Sequence, residues 1–228
     1  MGKQFQIIDA DPPWAFSDKL KMSDVKRGAE ANYNTMTISE IKALPVNDLA
    51  DPNGAILALW VPSAILQDGL DVMKAWGFHH RQTYIWVKTK KVSLAPLLKD
   101  IKKIKFSDHT IKSYIKTILS SIKDFDLNKT LAFGLGRLFR QTHEICLIGI
   151  NNKKIYKKLS NKSQRSVSFA LNLKHSAKPE HLQDSLESMF PNCNKLEMFA
   201  RRERKDWTCI GNEVCNGEDI RVSLSKLL

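Results

Sequence analysis

Four consecutive residues near the amino terminus, Asp11-Pro12-Pro13-Trp14, combine a carboxylate, two prolines and an indole directly after a short apolar run. Prolines end strands because they lack an N–H donor and fix φ. The carboxylate of Asp11 and the carbonyl of Pro12 are both hydrogen-bond acceptors, which suits a group with two N–H donors, such as an exocyclic amine. The ring of Trp14 offers a face for a flat heterocycle. The tetrapeptide therefore predicts a site for a nucleobase amine, as on adenine or cytosine.

Such an amine is a poor nucleophile because its lone pair is delocalised into the ring. Two acceptors that draw its hydrogens into a more tetrahedral arrangement would free the lone pair for attack. This is catalysis by orientation and electrostatic stabilisation, with no covalent enzyme intermediate. The alternative is a turn that only terminates a strand, with Asp9 or Asp11 capping the backbone.

The rest of the chain alternates strands and helices around this tetrapeptide. Residues 5–10 predict a strand that ends at Asp11, and the continuous apolar run 54–61 predicts a strand covered on both faces. Thr37 and Glu40 form a capping box, and Gly77 is expected to end a later helix. The other predicted elements are strands at 81–89, 144–151, 166–173, 195–200 and 207–211 and a helix after residue 179.

This alternation predicts an α/β fold around a mostly parallel sheet. In such sheets ligands gather at the carboxyl ends of the strands, where Asp11 lies. We expect a single domain over residues 1–228, interrupted at 92–131 by a lysine-rich helical insertion. That insertion is a candidate target-recognition element.

Charge, hydrophobicity and cysteine content indicate which partners and metal sites to expect. The chain of 228 residues has a net charge of +12, and residues 153–165 hold six basic residues and no acid. Clustered positive charge attracts polyanions, although a plain solvated surface is the alternative. No apolar run approaches the roughly 20 residues of a membrane span, so no membrane partner is expected. The four cysteines lack the spacing of metal ligands, so no metal site is expected either.

Seven segments, in order, resemble one family of methyltransferases. After Asp11-Pro12-Pro13-Trp14, matches follow at 32–46, 57–61 with 76–78, 85–89, 136–149, 175–179, 195–201 and 207–213. The tetrapeptide is similar to the catalytic motif of amino-methyltransferases that use S-adenosylmethionine. The chain resembles the branch that contains the catalytic subunit of the eukaryotic messenger-RNA adenosine methyltransferase and its bacterial and phage homologues.

The resemblance implies a Rossmann-like S-adenosylmethionine-dependent methyltransferase fold with a permuted motif order, in which the catalytic loop precedes the cofactor strand. Lys178 would bind the methionyl carboxylate of the cofactor, and Asn212 and Glu213 would bind its ribose. In relatives a glutamine stands at the position of Glu213. The other implied cofactor residues are Asp9, Ala10, Glu197, Phe199 and Arg201, and the implied substrate-binding residues are Tyr33, Lys88 and Arg137.

Three functions remain open at this point. The lysine-rich insertion and the compact length favour a site-specific DNA adenine methyltransferase that makes 6-methyladenine, of bacterial or phage type and cytoplasmic in its host. The resemblance to the messenger-RNA enzyme would instead suggest methylation of adenosine in RNA. A catalytically inactive subunit that binds nucleic acid beside an active partner is the third reading. A homodimer or a related partner subunit is compatible with the family.

Overall fold

In the computed structural model, the described residues are 4–15, 35–91, 113, 116, 127–132, 134, 138–172, 177–215 and 217–228. They fall into two compact units. The first consists of residues 1–86, 144–168 and 180–228, and the second of residues 87–143 and 169–179. Most of the predicted insertion at 92–131 lies outside the described residues, so the single interrupted domain stays a prediction.

All seven strands have residues in the first unit and form one sheet in the order β5-β3-β4-β2-β1-β6-β7. Their bounds are β1 Ile7–Ala10, β2 Ile56–Val61, β3 His79–Thr89, β4 His143–Ile150, β5 Val167–Leu171, β6 Lys195–Met198 and β7 Trp207–Ile210. Strands β2, β1, β6 and β7 run parallel to each other, and β4 runs antiparallel to β2. The expected α/β architecture with a mostly parallel sheet is confirmed.

The helices follow the predicted order, with additions. Those with described bounds are α1 Ile38–Lys42, α2 Val46–Leu49, α3 Leu66–Ala75, α4 His181–Met189 and α5 Ile220–Leu227. The capping box at the start of α1 is confirmed, since Thr37 Oγ1 accepts from the backbone N–H of Glu40 while the Glu40 carboxylate accepts from Thr37. Gly77 follows α3 with φ of 81°, a left-handed conformation that glycine adopts readily.

The two faces of the sheet carry different partners because successive side chains of a strand alternate in direction. Ile8 and Ala10 of β1 belong to the main apolar core, together with residues of α1, α3 and α5. Ile7 and Asp9 point to the other face, where Gln183 of α4 bonds to Asp9.

None of the helices within the described part of the chain is long and apolar enough to cross a membrane.

The second unit contains the end of β3 and the residues that pair with it. Lys88 donates its backbone N–H to Thr142 O at 2.8 Å and accepts from Ala132 N at 2.8 Å. A short 3-10 helix, Leu127–Thr130, precedes an antiparallel bridge between Thr89 and Leu131.

Candidate active site at the carboxyl edge of the sheet

The Asp11–Trp14 tetrapeptide directly follows β1, between β2 and β6 in the interior of the sheet. Pro13 accepts from Met36 N at 2.8 Å, and Ala15 donates to Met36 O at 2.9 Å. These bonds hold the loop against the residues that precede α1. Asp11 is half-buried at the carboxyl edge, the edge at which ligands bind in parallel sheets. The strand end therefore positions the carboxylate as the sequence predicts.

Trp14 has a different environment from the one the sequence suggested. Its indole is buried, with 4% of the residue exposed, and its Nε1–H donates to Trp60 O at 2.9 Å. The ring therefore offers no open stacking face in this structure. Because the bond joins the tetrapeptide to β2, the contact gives Trp14 a positioning role.

The Pro12 carbonyl is also not left free, contrary to the expectation from the sequence. It accepts a hydrogen bond from Trp14 N at 2.9 Å, across a tight turn. A carbonyl oxygen has two lone pairs, so one acceptor site remains for a substrate amine. The turn constrains the direction in which that lone pair points.

A second loop at the same edge follows β6 and carries two of the predicted cofactor residues, Phe199 and Arg201. Phe199 has φ of 61°, a left-handed conformation that is costly for a bulky residue and is found most often at functional sites. Gly211 follows β7, and a Cβ there would lie 2.6 Å from Ala200 O. Only glycine allows the two loops to approach so closely, which places Asn212 beside the turn at Phe199.

Arg201 and Glu213 form an ion pair between these loops. Arg201 Nε lies 3.7 Å from Glu213 Oε1, and both side chains are partly exposed. The pair compensates the negative charge of Glu213. The structure thus brings together Phe199, Arg201, Asn212 and Glu213 at the ends of β6 and β7.

A row of three polar side chains, of which the first is buried and the other two are half-buried, crosses three strands on the face covered by α4. Asp9, Glu197 and Cys209 are register partners on β1, β6 and β7. Gln183 of α4 donates to Asp9 Oδ2 at 3.1 Å and also hydrogen-bonds Glu197. Cys209 Sγ donates to Glu197 Oε2 at 3.9 Å. These bonds fix the rotamers of the two carboxyl groups one residue before the carboxyl ends of their strands.

Burial governs protonation in this row. It raises the pKa of Glu197 because the ionised carboxylate loses its hydration. It also raises the pKa of the Cys209 thiol to about 11, so this sulfur stays protonated and unreactive at neutral pH. Sequence reasoning missed Gln183; the available signal was an amide on the apolar face of a helix, between Leu182 and Leu186.

Arg204 anchors the β6–β7 loop to α4. Its guanidinium donates to Glu187 at 2.7 Å, to Glu180 at 2.8 Å and to Asp184 at 2.6 Å, and its side chain is 13% exposed. Trp207 Nε1 donates to the same Glu187 oxygen at 2.6 Å. The loop that holds Arg201 is thereby fixed to the helix that carries Gln183.

The structure describes two of the four remaining predicted residues. Lys88 and Lys178 belong to the second unit, and Lys178 is half-buried directly before the buried Pro179. Tyr33 and Arg137 lie outside the described residues, so their substrate contacts stay predictions. No group of side chains suited to bind a metal occurs among the residues that the structure describes.

A cavity of about 420 Å³ lies at the amino ends of β6 and β7, lined by Cys193, Lys195 and Trp207 among others. It is at the opposite edge of the sheet from Asp11, and it contains none of the predicted site residues.

Comparisons with known proteins identify the family of this chain. The MT-A70 family model matches residues 5–123 and 114–213. The chain is 25% identical over 216 residues to the N(6)-adenosine-methyltransferase MT-A70-like protein of Drosophila melanogaster, covering 94% of this chain and 27% of that protein. It is 23% identical over 216 residues to the N(6)-adenosine-methyltransferase catalytic subunit METTL3 of Homo sapiens, covering 94% of this chain and 29% of METTL3.

A non-catalytic relative matches as well. The N6-adenosine-methyltransferase non-catalytic subunit MTB of Arabidopsis thaliana is 31% identical over 99 residues, which is 43% of this chain and 12% of that protein. The chain thus spans less than a third of the length of these relatives. Because the family model covers most of the sequence, from residue 5 to residue 213, the chain belongs to the MT-A70 family.

Proposed function

We propose that this chain methylates the exocyclic N6 amine of adenosine in RNA, with S-adenosylmethionine as the methyl donor. The observation that carries the proposal is the placement of Asp11-Pro12-Pro13-Trp14 at the end of an interior parallel strand, in a member of the MT-A70 family. The names of the relatives refer to adenosine, which is the ribonucleoside. They favour RNA over the DNA substrate expected from the sequence.

The residues at the carboxyl edge fit the proposed cofactor. S-adenosylmethionine would supply an electrophilic methyl group on a sulfonium. Asn212 and Glu213 offer acceptors for ribose hydroxyls, and the close approach at Gly211 leaves their loop beside Phe199. Asp9, which is buried, and Glu197, which is half-buried, lie one residue before the ends of β1 and β6. Lys178 would bind the methionyl carboxylate as a compact ammonium.

Asp11 and Pro12 would act on the substrate amine. The Asp11 carboxylate and the remaining lone pair of the Pro12 carbonyl accept its two N–H groups and direct the nitrogen lone pair towards the methyl donor. The carboxylate also stabilises the positive charge that develops on the nitrogen during attack. Trp14 holds both acceptors in place through its bond to Trp60.

Two other functions are distinguishable by experiment. DNA methylation is favoured by the basic charge, with the base extruded from any duplex. A non-catalytic role is favoured by the similarity to MTB, whose name says that it is non-catalytic. Both predict nucleic-acid binding, but only the first predicts turnover.

The test uses transfer of tritium from labelled S-adenosylmethionine to RNA, single-stranded DNA and duplex DNA of one adenine-containing sequence. We expect methylated RNA to form fastest. Asp11→Asn should lower turnover by about 10²-fold or more, the size of losing one stabilising group at a reacting centre. Its cofactor affinity, measured by calorimetry, should stay within a few-fold of the wild type.

Asp48→Asn is the matched control, because Asp48 is an exposed aspartate on α2 and should leave the rate unchanged. Turnover on DNA with none on RNA would refute the proposed substrate. Cofactor binding without turnover on any of the three polymers would support the non-catalytic role.

A further inference from the structure

A strip of six basic side chains lies outside the candidate active site. All six are exposed and no acidic residue interrupts their segment, 153–165. We call this the basic strip, and its members are Lys153, Lys154, Lys157, Lys158, Lys162 and Arg165. The first four belong to a 3-10 helix, Lys153–Lys158, that follows β4.

The 3-10 helix is firmly anchored beneath its lysines. Ile155 is fully buried, and a Cβ at Gly54 would lie 2.5 Å from Ile155 N, so the two backbones are in close contact. The side chain of Asn152 caps the helix by accepting from Lys154 N at 3.0 Å. The lysines therefore project from a fixed backbone and not from a loose loop.

The second half of the strip runs along α4. Ser160 donates to Met189 O at 2.8 Å, and Asn161 Nδ2 donates to Ser188 Oγ at 2.7 Å. Gln164 Oε1 then accepts from Ser185 Oγ at 3.2 Å, about one turn nearer the start of the helix. The segment thus advances along α4 from its carboxyl end towards its amino end.

The strip begins far from Asp11. Ile150, the last residue of β4, pairs with Ile56, which is level with Ile7 of β1. Asp11 lies four residues further along β1, or about 13 Å at about 3.3 Å per residue. The lysines of the 3-10 helix are therefore at the amino edge of the parallel strands. Because α4 precedes β6 and runs back across the sheet, Lys162 and Arg165 extend the strip towards the carboxyl edge.

The charge of the strip is almost uncompensated. Within the described part of the chain, one member has an ion pair, between Lys158 Nζ and Asp51 Oδ2 at 3.6 Å. A folded surface that concentrates six like charges incurs mutual repulsion, which a bound polyanion relieves by releasing counterions. Tyr156 lies among the lysines with half of its surface exposed. Aromatic rings interleaved with basic residues are typical of surfaces that bind single-stranded nucleic acid.

We propose that the basic strip binds the phosphate backbone of a single-stranded segment flanking the target adenosine, with Tyr156 stacking on one base. The inference rests on the proposed function in taking a nucleic acid as substrate. It adds a binding surface that is separate from the site of methyl transfer. The strip would tether the substrate and would not contact the cofactor.

The test measures binding of the full chain to fluorescein-labelled 30-mers of uridine and of thymidine, which contain no adenine, from 50 to 200 mM salt. The triple variant Lys153→Gln/Lys154→Gln/Lys157→Gln removes three contacts. The slope of log affinity against log salt should fall in magnitude by about 2.1, at about 0.7 per phosphate on a single strand. Between 50 and 200 mM salt, the variant should therefore lose about 18-fold less affinity than the wild type.

The control variant Lys74→Gln/Arg221→Gln/Lys226→Gln removes the same charge from α3 and α5 and should keep the wild-type slope. Tyr156→Ala should weaken binding by about five-fold or more at every salt concentration, while Tyr156→Phe should not, because stacking needs only the ring. Equal slopes for the two triple variants would overturn the proposal.

Two further outcomes separate this proposal from others. Loss of binding to phosphatidylserine vesicles in the strip variant, with oligonucleotide binding unchanged, would identify a membrane surface instead and overturn the proposal. The homopolymers contain no adenine and cannot be methylated. Their affinity for the chain is therefore measured independently of methyl transfer. Intact strip-dependent binding in a chain with no methyl transfer would refute the proposed function alone. Uridine and thymidine arms show whether the strip distinguishes RNA from DNA.

Discussion

Replacing Arg204 by methionine tests how the loop between β6 and β7 is held. Arg204 bonds to two carboxylates of α4 and to that of Glu180, the residue that precedes α4, and its side chain is 13% exposed. Methionine keeps most of the apolar stem but provides no donor. Asp184 and Glu187 would then lose this cation, while Glu180 would keep its ion pair with Arg202.

The expected cost follows from the exposure of the three acceptors. Glu180 and Asp184 are 50% and 59% exposed, so water replaces much of what they lose and each contact counts for about 0.5 kcal/mol. Glu187 is less exposed and also accepts from Trp207, so its contact counts for about 2 kcal/mol. The free energy of unfolding should fall by about 3 kcal/mol. For a chain of this length the melting temperature falls by about 6–12 °C.

Urea denaturation followed by tryptophan fluorescence measures this change. Arg202→Met is the matched control, because among the described residues Arg202 pairs with Glu180 alone and is 53% exposed, and it should cost less than about 0.5 kcal/mol. A difference below about 1 kcal/mol between the two variants would contradict the assigned anchoring role.

The pH dependence gives an independent check on Arg204. Its hydrogen bond lowers the pKa of Glu187 below the ordinary 4.5. A lowered folded-state pKa contributes stability that is present above the ordinary pKa and is lost as the pH falls through the lowered value. The wild type and Arg204→Met should therefore converge in stability as the pH falls below about 4.5. If the stability difference between the two proteins did not change with pH, the Glu187 contact would not be the source of that difference.

Three further substitutions test the packing around the site. Trp14→Phe removes the indole donor from Trp60 O and should cost about 2–4 kcal/mol of unfolding free energy, measured by urea denaturation; a neutral result would contradict the positioning role. Gly69→Ala would place a Cβ 2.6 Å from both methyls of Val61, so it should cost about 1–3 kcal/mol by the same assay, and adding Val61→Ala should restore part of it. Glu197→Gln should stabilise the protein at neutral pH. The raised folded-state pKa means that the wild type loses stability as the pH rises from 4.5 through that pKa, and denaturation across this range should show no such loss in the variant.

Much of the fold was readable in the sequence because its signals are local. The apolar run at 54–61 predicted β2, which is buried at all six of its positions. Gly77 follows the end of α3 in a left-handed conformation, which glycine adopts readily because it has no Cβ. The helix α5 was not predicted. Its apolar residues Ile220 and Leu224 stabilise it by packing on the main core, and that packing exists only in the tertiary structure.

The candidate site likewise combines features that the local sequence indicated with features that only the tertiary structure decided. The residue types and order in Asp11-Pro12-Pro13-Trp14 indicated the proposed chemistry, since a carboxylate after a strand and a proline carbonyl are acceptors suited to an exocyclic amine. Contacts between residues far apart in the chain determined how those groups are used. The Trp14 indole turned out to be a buried tie to Trp60, and Gln183 joined Asp9 to Glu197, because burial and strand register exist only after the sheet has formed.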